Sequence, residues 1–277
     1  MRIFITGSTG FVGRNLAEYY SACTVYSYKR GNLKSELSNF NPNLIINCAA
    51  EIYDPLSMYD ANVVLTRECL EWVAGNPQTS MIQIGSSSEY GPVPYASSEK
   101  HKINPVDMYQ ATKGMATLLC QGYARTYDLD ITIARPYSVY GRYEKPHRLF
   151  PRLWKAFMCN IPMTLNDGYH DFIHIDDFVR GIDLLRKKND KPRGDIVNFG
   201  SGIQYSNFEV LSLFEKVIGH GAPVEKVNTM AKSFESSIWM CDTIYAKKSY
   251  GFTVEYDLES GIKEFLSTAN YTGESNK

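Results

Sequence analysis

The sequence predicts an α/β fold, a doubly wound parallel sheet with a smaller C-terminal lobe. Three observations predict it. Short apolar runs alternate with amphipathic stretches through the first half of the chain. A glycine turn, Gly7-Ser8-Thr9-Gly10-Phe11-Val12-Gly13, follows the first apolar run directly. After Arg135-Pro136 the rhythm changes, and Gly141, Pro146, Pro151, Pro162 and Gly168 break up longer loops.

The elements are read in chain order. Arg2–Thr6 is a buried strand and Phe11–Tyr20 a helix. Cys23–Tyr28 is a second strand, Leu33–Phe40 a short helix and Leu44–Ala49 a third strand. Asp60–Ala74 is helical, with Val63, Leu70 and Val73 on its apolar face. Met81–Ile84 is a fourth strand, Val106–Tyr127 a long helix and Ile131–Ala134 a fifth strand. Alternation of this kind builds a parallel sheet covered on both faces. Further on, Ile196–Phe199 reads as a strand and Phe208–Ile218 as a helix.

Composition excludes several classes. The 277 residues carry a net charge of −1, with 44% hydrophobic and 21% charged residues. That balance fits a globular core and gives no footprint for nucleic acid or an anionic membrane. No apolar run reaches the length of a membrane span, and the opening run enters a strand at once, so no signal peptide is expected. The six cysteines are scattered without C-x-x-C spacing, which argues against a metal site or a disulfide framework and for a reducing, cytoplasmic location.

In the glycine turn, Gly7 suits a tight turn, Gly10 allows backbone to approach a pyrophosphate, and Gly13 lets the helix sit close to the strand. The helix start, with Thr9, Phe11 and Val12, offers N–H groups to phosphates. The spacing is one residue longer than the usual dinucleotide fingerprint. Residues 1–140 are therefore read as a Rossmann-type dinucleotide-binding domain, to which later segments return, and 141–277 mainly as a substrate lobe. The second strand ends Tyr28-Lys29-Arg30, with no carboxylate for a ribose diol. Lys29 and Arg30 suit a 2′-phosphate, which favours NADP over NAD.

Tyr109 and Lys113 lie four apart near the start of the long helix and so share a face. A free tyrosine is too weak an acid for neutral-pH chemistry, and a nearby ammonium favours its phenolate. The fourth strand ends in Gly85-Ser86-Ser87-Ser88-Glu89-Tyr90-Gly91. Ligands of parallel sheets sit beyond the carboxyl ends of the strands, so a hydroxyl here is placed to bind an oxygen undergoing redox change.

Together these residues resemble the extended short-chain dehydrogenase/reductase superfamily, in its nucleotide-sugar epimerase/dehydratase branch, over nearly the whole chain. Cys48-Ala49-Ala50 and Asn62 resemble further cofactor-contacting positions, and Pro136 belongs to a segment, Arg135–Gly141, similar to the family's R-P-x-N-V-Y-G. Asp171–Asp177 resembles its D-F-I-H-V-D-D segment. The resemblance implies an enzyme in which Tyr109 is the acid-base residue, Lys113 lowers its pKa and holds the nicotinamide ribose, and Ser87 polarises the C4 oxygen of a nucleotide-linked sugar. Ser138 stands where the family has asparagine, His170 where it has a diphosphate-binding arginine, and Lys232 where it has a later one. Ser86, Ser88 and Arg142 complete the implied substrate contacts, and His147 and Arg148 could compensate for the lost arginine.

Three reactions share this machinery. Glu89, with Ser88 in the acid position, would serve a 4,6-dehydratase; a C4 epimerase would keep NAD bound. The short link from the second strand to the third, with Lys29-Arg30, favours an NADPH-dependent 4-keto-sugar reductase. A non-catalytic dinucleotide sensor is the alternative outside enzymology, and the intact Ser/Tyr/Lys set argues against it. The helices Asp60–Ala74 and Val106–Tyr127 correspond to the family's dimer helices, so a homodimer is implied, with Met115, Leu118 and Leu119 in the seam.

Overall fold

The structure, a computed structural model, describes residues 1–28, 31–230 and 238–269. The chain runs β1 (Arg2–Thr6), α1 (Phe11–Tyr19), β2 (Thr24–Tyr28), α2 (Leu33–Phe40), β3 (Leu44–Asn47), α3 (Pro55–Tyr59), α4 (Leu65–Gly75), β4 (Ser80–Ile84), α5 (Met108–Thr126), β5 (Ile131–Pro136) and β6 (Ser138–Tyr140). It continues through α6 (Leu149–Cys159), β7 (Met163–Asp167), β8 (Tyr169–His174), α7 (Ile175–Lys187), β9 (Asp195–Phe199), β10 (Gln204–Ser206), α8 (Asn207–Ile218), β11 (Val224–Met230), α9 (Ile244–Tyr250) and α10 (Leu258–Thr268).

Six parallel strands form the central sheet in the order β2-β1-β3-β4-β5-β9. The order reverses between β1 and β3, which opens a crevice at their carboxyl ends. Only α2 lies between β2 and β3, so the chain has no length for another strand and β2 is left at the edge. Because side chains alternate along a strand, β1 sends Ile3 and Ile5 to one face and Phe4 to the other. The first face is closed by α1 and α7 through Leu16, Phe178 and Ile182, the second by α2, α4 and α5 through Leu37, Leu70 and Cys120. This is the Rossmann-type doubly wound sheet that the alternation predicts.

A second core lies against the sheet's carboxyl end. Strands β10, β8 and β6 form a small sheet, and β11 pairs with β7. Its interior is aromatic: Tyr140 stacks on Phe150 with centroids 4.2 Å apart, and Phe150 meets Phe214 and Phe265 edge-on at 5.6 and 5.7 Å. Such pairs add to the energy of area burial.

Two helix starts differ from the sequence expectation, each because of a cap. Helix α5 begins at Met108 rather than Val106, since the Asp107 carboxylate accepts the Gln110 N–H at 2.8 Å. The helix expected from Asp60 starts at Pro55, capped by Asp54, and a π-helical turn at Asp60–Val64 joins α3 to α4. No helix among the described residues is long and apolar enough to cross a membrane, and all six cysteines are free thiols.

Glu99 pins the last strand of the sheet. Its carboxylate accepts the Asn198 N–H at 2.9 Å. Burial pushes its carboxyl up to about 7, against that hydrogen bond and with help from Asp242 and Asp195. A carboxyl raised in the folded state contributes most below its unfolded value and loses that contribution as pH climbs through the folded value. Stability is therefore expected to fall between about pH 4.5 and 7. Glu99→Gln, which keeps the acceptor, should flatten that slope and gain about 2 kcal/mol at pH 8 in urea titrations.

Candidate active site

The glycine turn sits at the crevice between β1 and β3. Gly7 has φ +63, a conformation costly for any side chain, and a Cβ there would lie 2.7 Å from the Ala49 N. A Cβ on Gly13 would lie 2.3 Å from the Gly7 oxygen, so helix and turn touch backbone to backbone. Gly10 is the N-cap residue of α1, and its N–H closes the turn on the Gly7 carbonyl at 2.9 Å. Thr9 is exposed, Phe11 and Val12 are half-buried, and Cys48, Ala49 and Ala50 line the opposite bank at the end of β3. The Ser8 hydroxyl is buried with no hydrogen-bond partner among the described residues. A glycine cradle, a helix start aimed across it and an unanswered hydroxyl fit a dinucleotide pyrophosphate.

Beneath the turn a polar network fixes the crevice floor. Asn47 is hydrogen-bonded to Thr6, and its amide donates to Thr66 at 3.0 Å and Gln83 at 2.8 Å. Asn62, on the π-helical turn, accepts the Glu51 N–H at 2.9 Å and donates to the Glu51 carbonyl and the Thr112 hydroxyl at 3.0 and 2.9 Å. It is buried, and it ties the wall after β3 to α5.

Tyr109 and Lys113 emerge from the first turns of α5 toward the end of β4. Lys113 is only 3% exposed, and its ammonium donates to the Ile84 carbonyl at 2.6 Å. Burial holds its pKa below the usual lysine value, opposed by the negative charge of Glu89. The Tyr109 phenol lies near the Ser86 side chain. Burial raises the phenol, Ser86 opposes this, Glu89 adds to it, and the positive charge that offsets it is that of Arg148. Of the three serines, Ser86 is the one whose side chain acts on Tyr109. Ser87 is buried in the single 3-10 turn Ser87–Tyr90, one position further on. Ser86 caps that turn, and its hydroxyl lies 2.7 Å from the Ser88 hydroxyl. Three consecutive serines give no pattern from which this choice can be read; the turn decides it.

Glu89 does not face the crevice. It is 0% exposed; one carboxylate oxygen accepts the Ser86 N–H at 2.8 Å, the other takes Arg135 Nε at 2.9 Å and Nη2 at 2.6 Å. The dehydratase base suggested by the sequence is therefore a buried ion-pair partner. Arg142 lies 2.7 Å from Asp176 and 3.9 Å from Glu18.

The structure brings Ser138 and His170 together, 3.3 Å apart, on adjacent strands of the small sheet. Pro136 ends β5 beside Phe199. Lys29, Arg30 and Lys232 lie outside the described residues. Two features have no signal in the sequence. Tyr53, after β3, is hydrogen-bonded to His147, so a segment of the main sheet reaches one from the small lobe. Arg148 pairs with the buried Glu144 at 3.0 Å.

The chain matches the NAD dependent epimerase/dehydratase family over residues 3–200. It is 26% identical to the uncharacterized UDP-glucose epimerase YtcB of Bacillus subtilis, covering 96% of each chain. It is 29% identical to the UDP-glucuronate 4-epimerase of Thermodesulfobacterium geofontis, covering 88% of this chain and 76% of that one. In fold it is similar to the UDP-glucuronic acid 4-epimerase of Bacillus cereus, solved with UDP-glucuronic acid and NAD: TM-score 0.87, 23% identity, 97% of this chain and 98% of that chain. With the family match spanning most of the sequence and the crevice built as described, this chain belongs to the NAD dependent epimerase/dehydratase family of enzymes.

Proposed function

We propose that this protein is a nucleotide-sugar C4 epimerase that works with bound NAD in the cytoplasm. The observation that carries the reading is Tyr109 and the buried Lys113 on one face of α5 at the crevice, with the nearest motif carboxylate, Glu89, locked in an ion pair. A 4,6-dehydratase needs a free carboxylate to remove a second proton, and Glu89 is not free to act. The reductase favoured by the sequence rested on Lys29-Arg30 and the short β2–β3 link. The relatives named above are epimerases, one solved with NAD, and a dTDP-glucose 4,6-dehydratase is similar as well; they support the alternative of an epimerase or dehydratase with bound NAD, between which Glu89 favours the epimerase.

In this reading Gly7, Gly10 and Gly13 hold the pyrophosphate, Cys48 to Ala50 and Pro136 border the cofactor, and Lys113 holds the nicotinamide ribose. When bound, the nicotinamide supplies reversible oxidation and reduction at the sugar carbon. Tyr109 takes the proton of the C4 hydroxyl and later returns it. Ser86 hydrogen-bonds the same oxygen, keeping it aligned through both steps. Ser138 and His170 hold the diphosphate, and Ser88 orients Ser86.

Incubating the NAD-loaded protein with UDP-glucose and UDP-glucuronate should yield the C4 epimer of one of them, seen by NMR, with no net change in nicotinamide absorbance. Stoichiometric loss of NADPH absorbance with a 4-keto sugar would restore the reductase reading.

We also propose a homodimer through α5 and the segment that runs from α3 through the π-helical turn into α4. Met115, Leu118 and Tyr127 are 41%, 56% and 57% exposed along one groove, with Tyr59, Val63 and Leu119 beside them. An apolar stripe on two adjacent helices suits a four-helix seam. Leu118→Glu should shift the mass measured by light scattering from two chains to one.

A further inference from the structure

We propose that the buried Arg135–Glu89 pair is a positioning device that holds Ser86 against Tyr109. The inference rests on the epimerase reading for its effect on turnover, but its geometry stands apart from it.

Glu89 has two oxygens and both are assigned. One is held by two nitrogens of Arg135, a charge-assisted fork converging on a single oxygen. The other receives the Ser86 N–H at 2.8 Å. Arg135 is itself clamped: it is 1% exposed, it extends from β5, and its guanidinium lies over the Tyr90 ring at 4.6 Å. The Tyr90 hydroxyl donates to Asn198 at 2.8 Å, so the fork is braced from β9 as well. The Ser86 backbone is thereby tied to two strands of the sheet, and its side chain lies near the Tyr109 phenol. Gly85 is part of the device. A Cβ there would lie 2.7 Å from the Glu89 oxygen that takes the Ser86 N–H. Burying an ion pair is a weak source of stability. A pair that instead sets the direction of a hydroxyl acts through the reaction, since small misalignments of a reacting group cost rate.

The test compares two pair variants that are both neutral at both positions. Glu89→Leu/Arg135→Met removes the acceptor for the Ser86 N–H; Glu89→Gln/Arg135→Met retains it. In the NAD-loaded protein the first should lower kcat roughly 10- to 30-fold with KM changed less than about threefold, and the second should recover most of the loss. In a Ser86→Ala background the Leu/Met pair should change kcat less than about twofold, because the two changes act on one group. Gly85→Ala, which pushes the same oxygen aside without changing any charge, should mimic the Leu/Met pair and decides the matter if that pair does not fold.

A second readout needs no turnover. The Tyr109 phenol is titrated by ultraviolet absorbance, as the difference between each variant and its Tyr109→Phe counterpart. It should titrate higher in the Leu/Met pair than in the Gln/Met pair, since only the former releases Ser86. Equal titrations, or a Leu/Met effect as large in the Ser86→Ala background as in the wild type, would overturn the proposal. If no sugar nucleotide is turned over by the wild type, the epimerase reading fails and the titration alone decides this one.

Discussion

Tyr109→Phe is expected to lower kcat about 10³-fold, within the range for losing a positioned acid-base group. The ring stays, so packing at the start of α5 is preserved. Only the phenol oxygen near Ser86 is lost. KM for the sugar nucleotide and the amount of NAD retained after gel filtration should change little, because neither the glycine cradle nor the Ser138–His170 pair is touched. Equal turnover in the variant and the wild type would remove Tyr109 from the chemistry. A loss of NAD together with activity would place the phenol in cofactor retention instead.

The second large effect concerns the cofactor cradle. Gly13→Ala puts a carbon 2.3 Å from the Gly7 oxygen and 2.8 Å from its carbonyl carbon, both backbone atoms of the turn that closes on Gly10. No side-chain rotation relieves that contact. Either α1 moves away from β1 or the turn opens, and both disturb the N–H groups at the helix start. The expected outcome is a stability loss of about 3 kcal/mol by urea unfolding, typical of forced overpacking. NAD should no longer copurify. A Gly13→Ala protein with wild-type midpoint and full NAD content would show that helix and turn are not in the close contact described.

These two predictions draw on different levels of legibility. The glycine turn is readable because φ and close approach leave glycine as the residue that fits, and because its position after a strand is local in sequence. Tyr109 and Lys113 are readable because helix periodicity fixes their common face. The strands of the central sheet fall where apolar runs fall, since strands buried on both faces carry continuous apolar stretches. The serine is not readable in this way. Ser86, Ser87 and Ser88 are chemically identical, and the choice depends on a 3-10 turn capped by Ser86, with Glu89 three residues on accepting the Ser86 N–H. The position of Glu89 is not readable either, because its partner, Arg135, is 46 residues away. A carboxylate next to a catalytic motif looks available until the ion pair is seen. The small sheet was illegible for a similar reason: β6 and β10 have three residues each, too short for any alternating pattern, and they exist because β8 pairs with both.

The junction between β5 and β6 has a mechanical consequence. One residue, Tyr137, separates a strand of the large sheet from a strand of the small one, and its N–H is bonded to the Phe199 carbonyl at 2.8 Å. Rotation of two bodies about a joint requires a few residues free to change their dihedral angles, and here the only one is already tethered. The two halves are therefore coupled stiffly at this point. Access for a bulky sugar nucleotide falls to peripheral segments, and the Tyr53–His147 contact is one that spans both halves.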